Sequence, residues 1–106
     1  MLLENAFEGY WLSKKRSLSV NTVNDYQLTY RRFQEFLGGR KTLEPVVAKD
    51  VERFLNHLAD DLRLSQKSVL NSWIALSSFW TWAERTLEVP HIMRGKVDRP
   101  RPRRRQ

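Results

Sequence analysis

The stretch SLSVNTVNDYQLTYRRFQEFL, residues 17–37, decides the fold. Its apolar and aromatic residues recur at spacings of three and four, which is the period of one helix face. They are Val23, Tyr26, Tyr30, Phe33 and Leu37. Ser19 suits the N-cap position, and Gly38-Gly39 suits a helix end. The stretch therefore predicts a helix over about 20–37.

The flanking sequence predicts three more helices, over about 2–15, 48–62 and 66–87, and no long strand. The apolar stripe of the third consists of Val47, Val51, Phe54, Leu55, Leu58 and Leu62. The fourth follows a second serine cap, Ser65, and is apolar nearly all round, which is typical of a central helix. The sequence predicts an all-α domain with the fourth helix packed among the other three.

The net charge of +7 is concentrated at the C-terminal end. Residues 94–106 carry +6, from seven Lys or Arg and one Asp, whereas residues 1–93 carry only +1. Helical periodicity disappears from His91 onward, where Arg, Lys and Pro dominate, and this composition is typical of an extended, poorly ordered segment. We expect a helical domain over 1–90 and a basic tail over 91–106.

Composition also disfavours several classes of protein. The chain has no cysteine, which rules out disulfides and thiolate metal sites. No apolar run approaches the ~18 residues of a membrane span, and the N-terminus lacks the pattern of a signal peptide. These features are typical of a cytoplasmic or nuclear domain that does not contact a membrane.

Catalytic and metal chemistry receive little support. His57, Asp60 and Asp61 have spacings that can meet on a helix and could form part of a metal site. A solvated helix face is the simpler interpretation, because the other histidine, His91, is remote. There is no Gly-rich phosphate loop, and two histidines so placed support no catalytic triad. The sequence predicts no cofactor, no metal and no small-molecule ligand.

Two polar faces carry residue types that bind DNA. Opposite the stripe of the 20–37 helix lie Asn21, Asn24, Asp25, Arg31, Arg32 and Glu35, interrupted by Leu28. Asn can read adenine edges, and Arg can read guanine or hold phosphate. The fourth helix opens with Lys67, Ser68 and Asn71, where backbone amides also suit a phosphate. A plain solvated helix face explains the same pattern, and the residue types alone leave both interpretations open.

Three stretches taken together resemble the N-terminal core-binding domain of tyrosine recombinases, the family of phage integrases and Xer proteins. In the first, the matching residues are Ser19, Thr22, Tyr26, Tyr30, Phe33, Phe36 and Leu37. VAKDVERFLNHLADDL, residues 47–62, and LSQKSVLNSWIALSSFWTWAERTLEVP, residues 64–90, resemble the third and fourth helices of that domain. The sequence departs from the family pattern at Ser68, Leu76-Ser77 and Val89-Pro90.

The resemblance implies a four-helix, SAM-like orthogonal bundle of two crossed helix pairs, with an extended basic C-terminal tail. It implies double-stranded DNA as the partner, with the second and fourth helices meeting the major groove. We transfer the DNA contacts of the family to the matching positions of this chain and add Arg32 and two basic residues of the tail. The expected DNA contacts are then Asn21, Thr22, Asn24, Arg31, Arg32, Lys67, Ser68, Asn71, Arg94 and Lys96. Thr22 also borders the apolar stripe, which suits a packing or helix-start role.

The resemblance further implies that residues 91–106 begin a linker toward a separate catalytic domain. These 106 residues would then bind DNA without cutting it, and Tyr10, Tyr26 and Tyr30 would not be the nucleophile. The parent would be a bacterial or phage-encoded recombinase, cytoplasmic and associated with the nucleoid, that acts in DNA integration or recombination.

Two rival interpretations remain. The first is a protein–protein interaction module, in which Leu2, Leu3, Phe7 and Trp11 touch a neighbouring recombinase protomer in a synaptic complex. Covering the core is the simpler role for these side chains. The second is an unrelated helical domain whose DNA affinity comes only from the arginine tail.

Overall fold

The structure is a computed structural model that describes residues 1–39 and 41–100. Its α-helices are α1 (Leu3–Lys14), α2 (Val20–Phe36), α3 (Ala48–Asn56) and α4 (Gln66–Thr86). A 3-10 turn follows α1, and a π-helical turn, His57–Asp61, continues α3. The described residues form no β-strand, only one isolated bridge between Leu2 and Thr42. The predicted all-α fold with four helices is confirmed.

Helix α4 lies at the centre, as its apolar surface predicted. It contacts each of the other three helices. Its buried residues are Val69, Ser72, Ala75, Leu76, Phe79, Trp80 and Ala83. Aromatic side chains fill the space around it: Phe7 of α1 stacks on Tyr30 of α2 at 4.3 Å between ring centroids and meets Phe79 edge-on at 4.6 Å. Such offset and edge-on pairs add to the stabilisation from burial alone.

Helices α2 and α4 run in the same sense. Thr29 is hydrogen-bonded to Ser72 at 3.2 Å. One turn further along α2 and two turns further along α4, the rings of Phe33 and Trp80 meet at 6.2 Å between centroids. Contacts that advance in the same direction along two helices place both N-termini at the same end of the bundle. This arrangement positions the candidate site.

The end of α3 differs from the prediction. Val47 and Leu62 were expected on the buried stripe, yet they are 51% and 45% exposed. Val47 is the N-cap residue, and its N–H donates to the carboxylate of Asp50 at 3.0 Å. The amide of Leu62 donates to the carbonyl of His57, five residues earlier, at 3.0 Å. A π-type turn holds one residue more than an α-turn, so it rotates Leu62 off the stripe, whereas Leu58 stays fully buried.

The segment after α4 packs against the bundle. Met93 and Val97 are only 1% and 5% exposed, and the indole N–H of Trp73 donates to the carbonyl of Val97 at 3.2 Å. The boundary expected at residue 90 therefore falls inside the packed structure, which continues to about residue 97. Residues 101–106, the rest of the predicted tail, lie outside the described residues.

Candidate nucleic-acid interface

Helices α2 and α4 begin with the same hydrogen-bond arrangement. Ser19 Oγ accepts from the amide of Thr22 at 3.2 Å and donates to Thr22 Oγ1 at 2.8 Å. Ser65 Oγ accepts from the amide of Ser68 at 3.2 Å and donates to Ser68 Oγ at 3.1 Å. Both predicted caps are present. The hydroxyl groups of Thr22 and Ser68, both predicted to contact DNA, therefore also accept hydrogen bonds from the capping serines.

We expect Ser19→Ala and Ser65→Ala each to lower the free energy of unfolding by about 1 kcal/mol, since each leaves one helix-start amide without its acceptor. Urea denaturation followed by circular dichroism measures the change. Ser13→Ala, at an exposed position inside α1, is the control. A loss at the caps no larger than the loss at Ser13 would contradict the assignment.

The exposed face of α2 carries Asn21, Asn24, Leu28 and Arg31, which recur at spacings of three and four. Leu28 is 39% exposed and lies in the middle of this polar surface. On α4, Lys67 is exposed and Asn71 is partly buried. The two helices start at the same end of the bundle, which places the free amides of both N-termini there. We call this set, Asn21, Asn24, Leu28, Lys67 and Asn71, the N-terminal face.

The two arginines of α2 flank this face on opposite sides. Arg31 lines a shallow groove against α1, beside Glu4 and Glu8. Arg32 lines another groove beside His57 at the π-helical turn. Sequence spacing put both arginines on the polar side of α2, but it could not show which neighbouring helix each would approach.

The predicted basic contacts beyond α4 lie elsewhere. Arg94 forms an ion pair with Glu84, its guanidinium donating to the two carboxylate oxygens at 2.9 and 3.1 Å. Glu84 follows Lys67 by seventeen residues on α4, about 25 Å at 1.5 Å per residue. Lys96 is exposed in the turn after Arg94. The structure therefore does not bring Arg94 together with the N-terminal face.

Arg99 and Trp73 form a contact that the sequence did not predict. The guanidinium of Arg99 lies over the Trp73 ring, 5.8 Å from its centroid. With the hydrogen bond from Trp73 to Val97, this contact fixes where the chain crosses α4. Trp73 was expected only as part of an apolar helix surface, and nothing in its spacing predicts a contact with a segment more than twenty residues later.

Tyr10 and Tyr30 are buried in the hydrophobic core of the bundle. The Tyr30 hydroxyl donates to the carbonyl of Ala75 at 2.8 Å, and burial strongly raises the pKa of Tyr30. Burial is also the main cause that raises the pKa of Tyr10. The Tyr30 hydroxyl is buried and already donates to a backbone carbonyl, so it is not free to attack a phosphodiester. The first-helix residues Leu3 and Phe7 are likewise 1% and 3% exposed, which supports core packing over a docking patch.

His57, Asp60 and Asp61 lie together in the π-helical turn. His57 Nδ1 and Asp61 Oδ2 are 2.8 Å apart, which pairs the histidine within its own turn. Within residues 1–39 and 41–100, no three His, Cys, Asp or Glu side chains are grouped closely enough to hold a metal ion. No described helix combines the length and apolarity that crossing a membrane requires.

The chain matches a known family over most of its length. The model of the phage integrase N-terminal SAM-like domain covers residues 6–86, from the first turn of α1 to the last residue of α4. No curated protein and no solved structure matches significantly. The matched region contains α2, α3 and α4 and all but the first three residues of α1, in the predicted order, and the chain therefore belongs to the phage integrase N-terminal SAM-like domain family.

Proposed function

We propose that this domain binds double-stranded DNA, with the first turns of α2 and α4 facing the major groove. The observation that carries the proposal is the N-terminal face. Helices α2 and α4, which run in the same sense, carry asparagines, a lysine and free amides there. Asn21, Asn24 and Asn71 offer amide groups of the kind that pair with adenine edges. Lys67 and the helix amides suit a phosphate, and Leu28 offers the apolar surface that a thymine methyl group contacts.

The domain serves a tyrosine site-specific recombinase in this proposal. Family membership supports a recombinase parent, and the matched region is the N-terminal domain of the family. Strand cleavage and rejoining are therefore assigned to another domain of the parent, reached through the basic segment after residue 97. Other recombinase protomers in a synaptic complex are its expected protein partners. The parent is expected to be bacterial or phage-encoded and to act on DNA in the cytoplasm.

An amide chemical-shift titration with a short DNA duplex, at low and moderate salt, tests the proposal. It compares the full chain with a chain that ends at Pro100. An earlier end would remove Met93 or Val97 from the core and confuse loss of binding with loss of folding. We expect shifts at residues 21–28 and 67–71 in both chains. Shifts that vanish when residues 101–106 are removed would mean that the arginine tail alone binds.

Affinity measurements with matched variants sharpen the same test. Asn24→Ala is expected to weaken binding to a cognate site by about 1–3 kcal/mol, because it removes a base contact. Asn56→Ala, an exposed asparagine on α3, removes the same group away from the proposed face. Equal affinities of the two variants would exclude Asn24 from recognition.

A further inference from the structure

An open groove of about 850 Å³ lies between the end of α1 and the second half of α4. Lys14, Arg85 and Arg99 supply three positive charges to its walls, and Ser13, Ser17 and Ser78 are among its hydroxyl groups. None of the described residues that line it is acidic. The groove therefore combines cations with hydrogen-bond donors, and nothing in its lining offsets the charge.

The charges of the groove are not satisfied within the described part of the protein. Arg94, outside this groove, is neutralised by Glu84 at 2.9 Å. Lys14 and Arg85 form no comparable ion pair with any described residue. Arg99 is held in place by the Trp73 ring, which leaves its charge available. Positive charges gathered without a counter-charge create a potential that attracts an anion.

The groove continues the N-terminal face along α4. Lys67, Asn71, Ile74, Ser78 and Arg85 recur at spacings of three, four and seven, which places them along one side of the helix. At 1.5 Å per residue, Ser78 lies about 16 Å from Lys67, and Arg85 about 27 Å. The major groove of DNA is only ~12 Å wide. A helix that enters the groove by its first turn, at an angle to the groove, carries Ser78 and Arg85 out toward the sugar–phosphate strand at its border.

We propose that the groove between α1 and α4 binds the sugar–phosphate backbone of the same DNA duplex. Lys14, Arg85 and Arg99 neutralise phosphates there, and the serine hydroxyls donate to phosphate oxygens. Such contacts fix the register and orientation of a protein on DNA without reading its sequence. This inference rests on the proposed function, because it takes the duplex to lie across the N-terminal face.

The test is the salt dependence of DNA affinity, measured on the full chain by fluorescence anisotropy of a labelled duplex. Each phosphate contact contributes about 0.9 to the slope of log affinity against log salt. The double variant Lys14→Gln, Arg85→Gln is expected to lose about 1.8 of that slope, and Arg99→Gln about 0.9. The matched control is Lys49→Gln, Arg53→Gln, the same loss of charge at exposed positions of α3.

The outcomes separate this inference from the proposal on which it rests. If the two double variants have equal salt slopes, the groove does not bind phosphates and this inference is overturned. The proposed function still stands in that case if Asn24→Ala binds DNA more weakly than Asn56→Ala. If the wild-type chain gives no shifts on α2 and α4, the proposed function itself fails. If the groove binds polyglutamate and the salt slopes of the two double variants are equal, the groove is a binding site for an acidic protein segment. That result also overturns the proposal of a DNA-backbone site.

Discussion

Met93→Ala is expected to lower the free energy of unfolding by about 2–5 kcal/mol, the range for truncating a buried large side chain. Met93 is 1% exposed and belongs to the hydrophobic core, although it follows α4 in a basic stretch that has no helical period. Its removal leaves a cavity that the bundle closes only in part. For a domain of this size, such a loss is a large fraction of the total stability.

Urea denaturation, followed by tryptophan fluorescence and circular dichroism, measures this loss. Leu62→Ala is the control, because it truncates an apolar side chain that is 45% exposed at the end of the π-helical turn. We expect its effect to stay within about 0.5 kcal/mol. Similar values for the two variants would mean that the segment after α4 does not pack on the core in solution.

The four helices could be predicted from the sequence because their information is local. In α2 and α4 the apolar period and a serine cap agree on where each helix begins, and Gly38, at a φ of +94°, ends the second helix as expected. The packing of residues 91–97 could not be predicted in this way. Met93 and Val97 are separate apolar residues among charged ones, and only their contacts with α4 make them core residues.

The candidate site was predictable in its residue types but only partly in its arrangement. Spacing put Asn21, Asn24 and Lys67 on polar faces, where the structure exposes them. Spacing could not show that α2 and α4 begin at the same end, since this depends on the crossing at Thr29 and Ser72. The ion pair of Arg94 with Glu84 could not be predicted either, because it forms only when the turn after α4 folds back on the helix.

His91 organises that turn, and its hydrogen bonds define its protonation state. Nδ1 accepts from the backbone amides of Met93 at 3.2 Å and Arg94 at 3.0 Å, so it carries no proton. The Nε2–H group then donates to Thr81 Oγ1 at 3.2 Å, and the Thr81 hydroxyl donates to the carbonyl of Ser77 at 3.0 Å. This tautomer is the one that the hydrogen-bond network requires.

His91→Ala is expected to cost about 1–3 kcal/mol, because it leaves the buried amide of Met93 without an acceptor. His91→Asn should cost much less, because the Asn side-chain oxygen occupies nearly the position of Nδ1 and can accept the same two N–H groups. Urea denaturation at pH 7.5 compares the two. Equal losses would show that the ring contributes by packing and that its acceptor role is unimportant.

Acid should destabilise the protein through the same residue. Burial lowers the pKa of His91, the nearby Arg94 guanidinium lowers it further, and Glu84 opposes the shift only in part. The unfolded chain therefore binds a proton more readily than the folded one, so stability is complete above the unfolded pKa of about 6.5 and is lost as the pH falls below it. A proton on Nδ1 would also face two amide N–H groups.

His91→Asn should remove this part of the acid dependence measured between pH 7.5 and 5, whereas His57→Asn should leave it in place. An unchanged pH profile in His91→Asn would show that protonation of His91 does not open the turn.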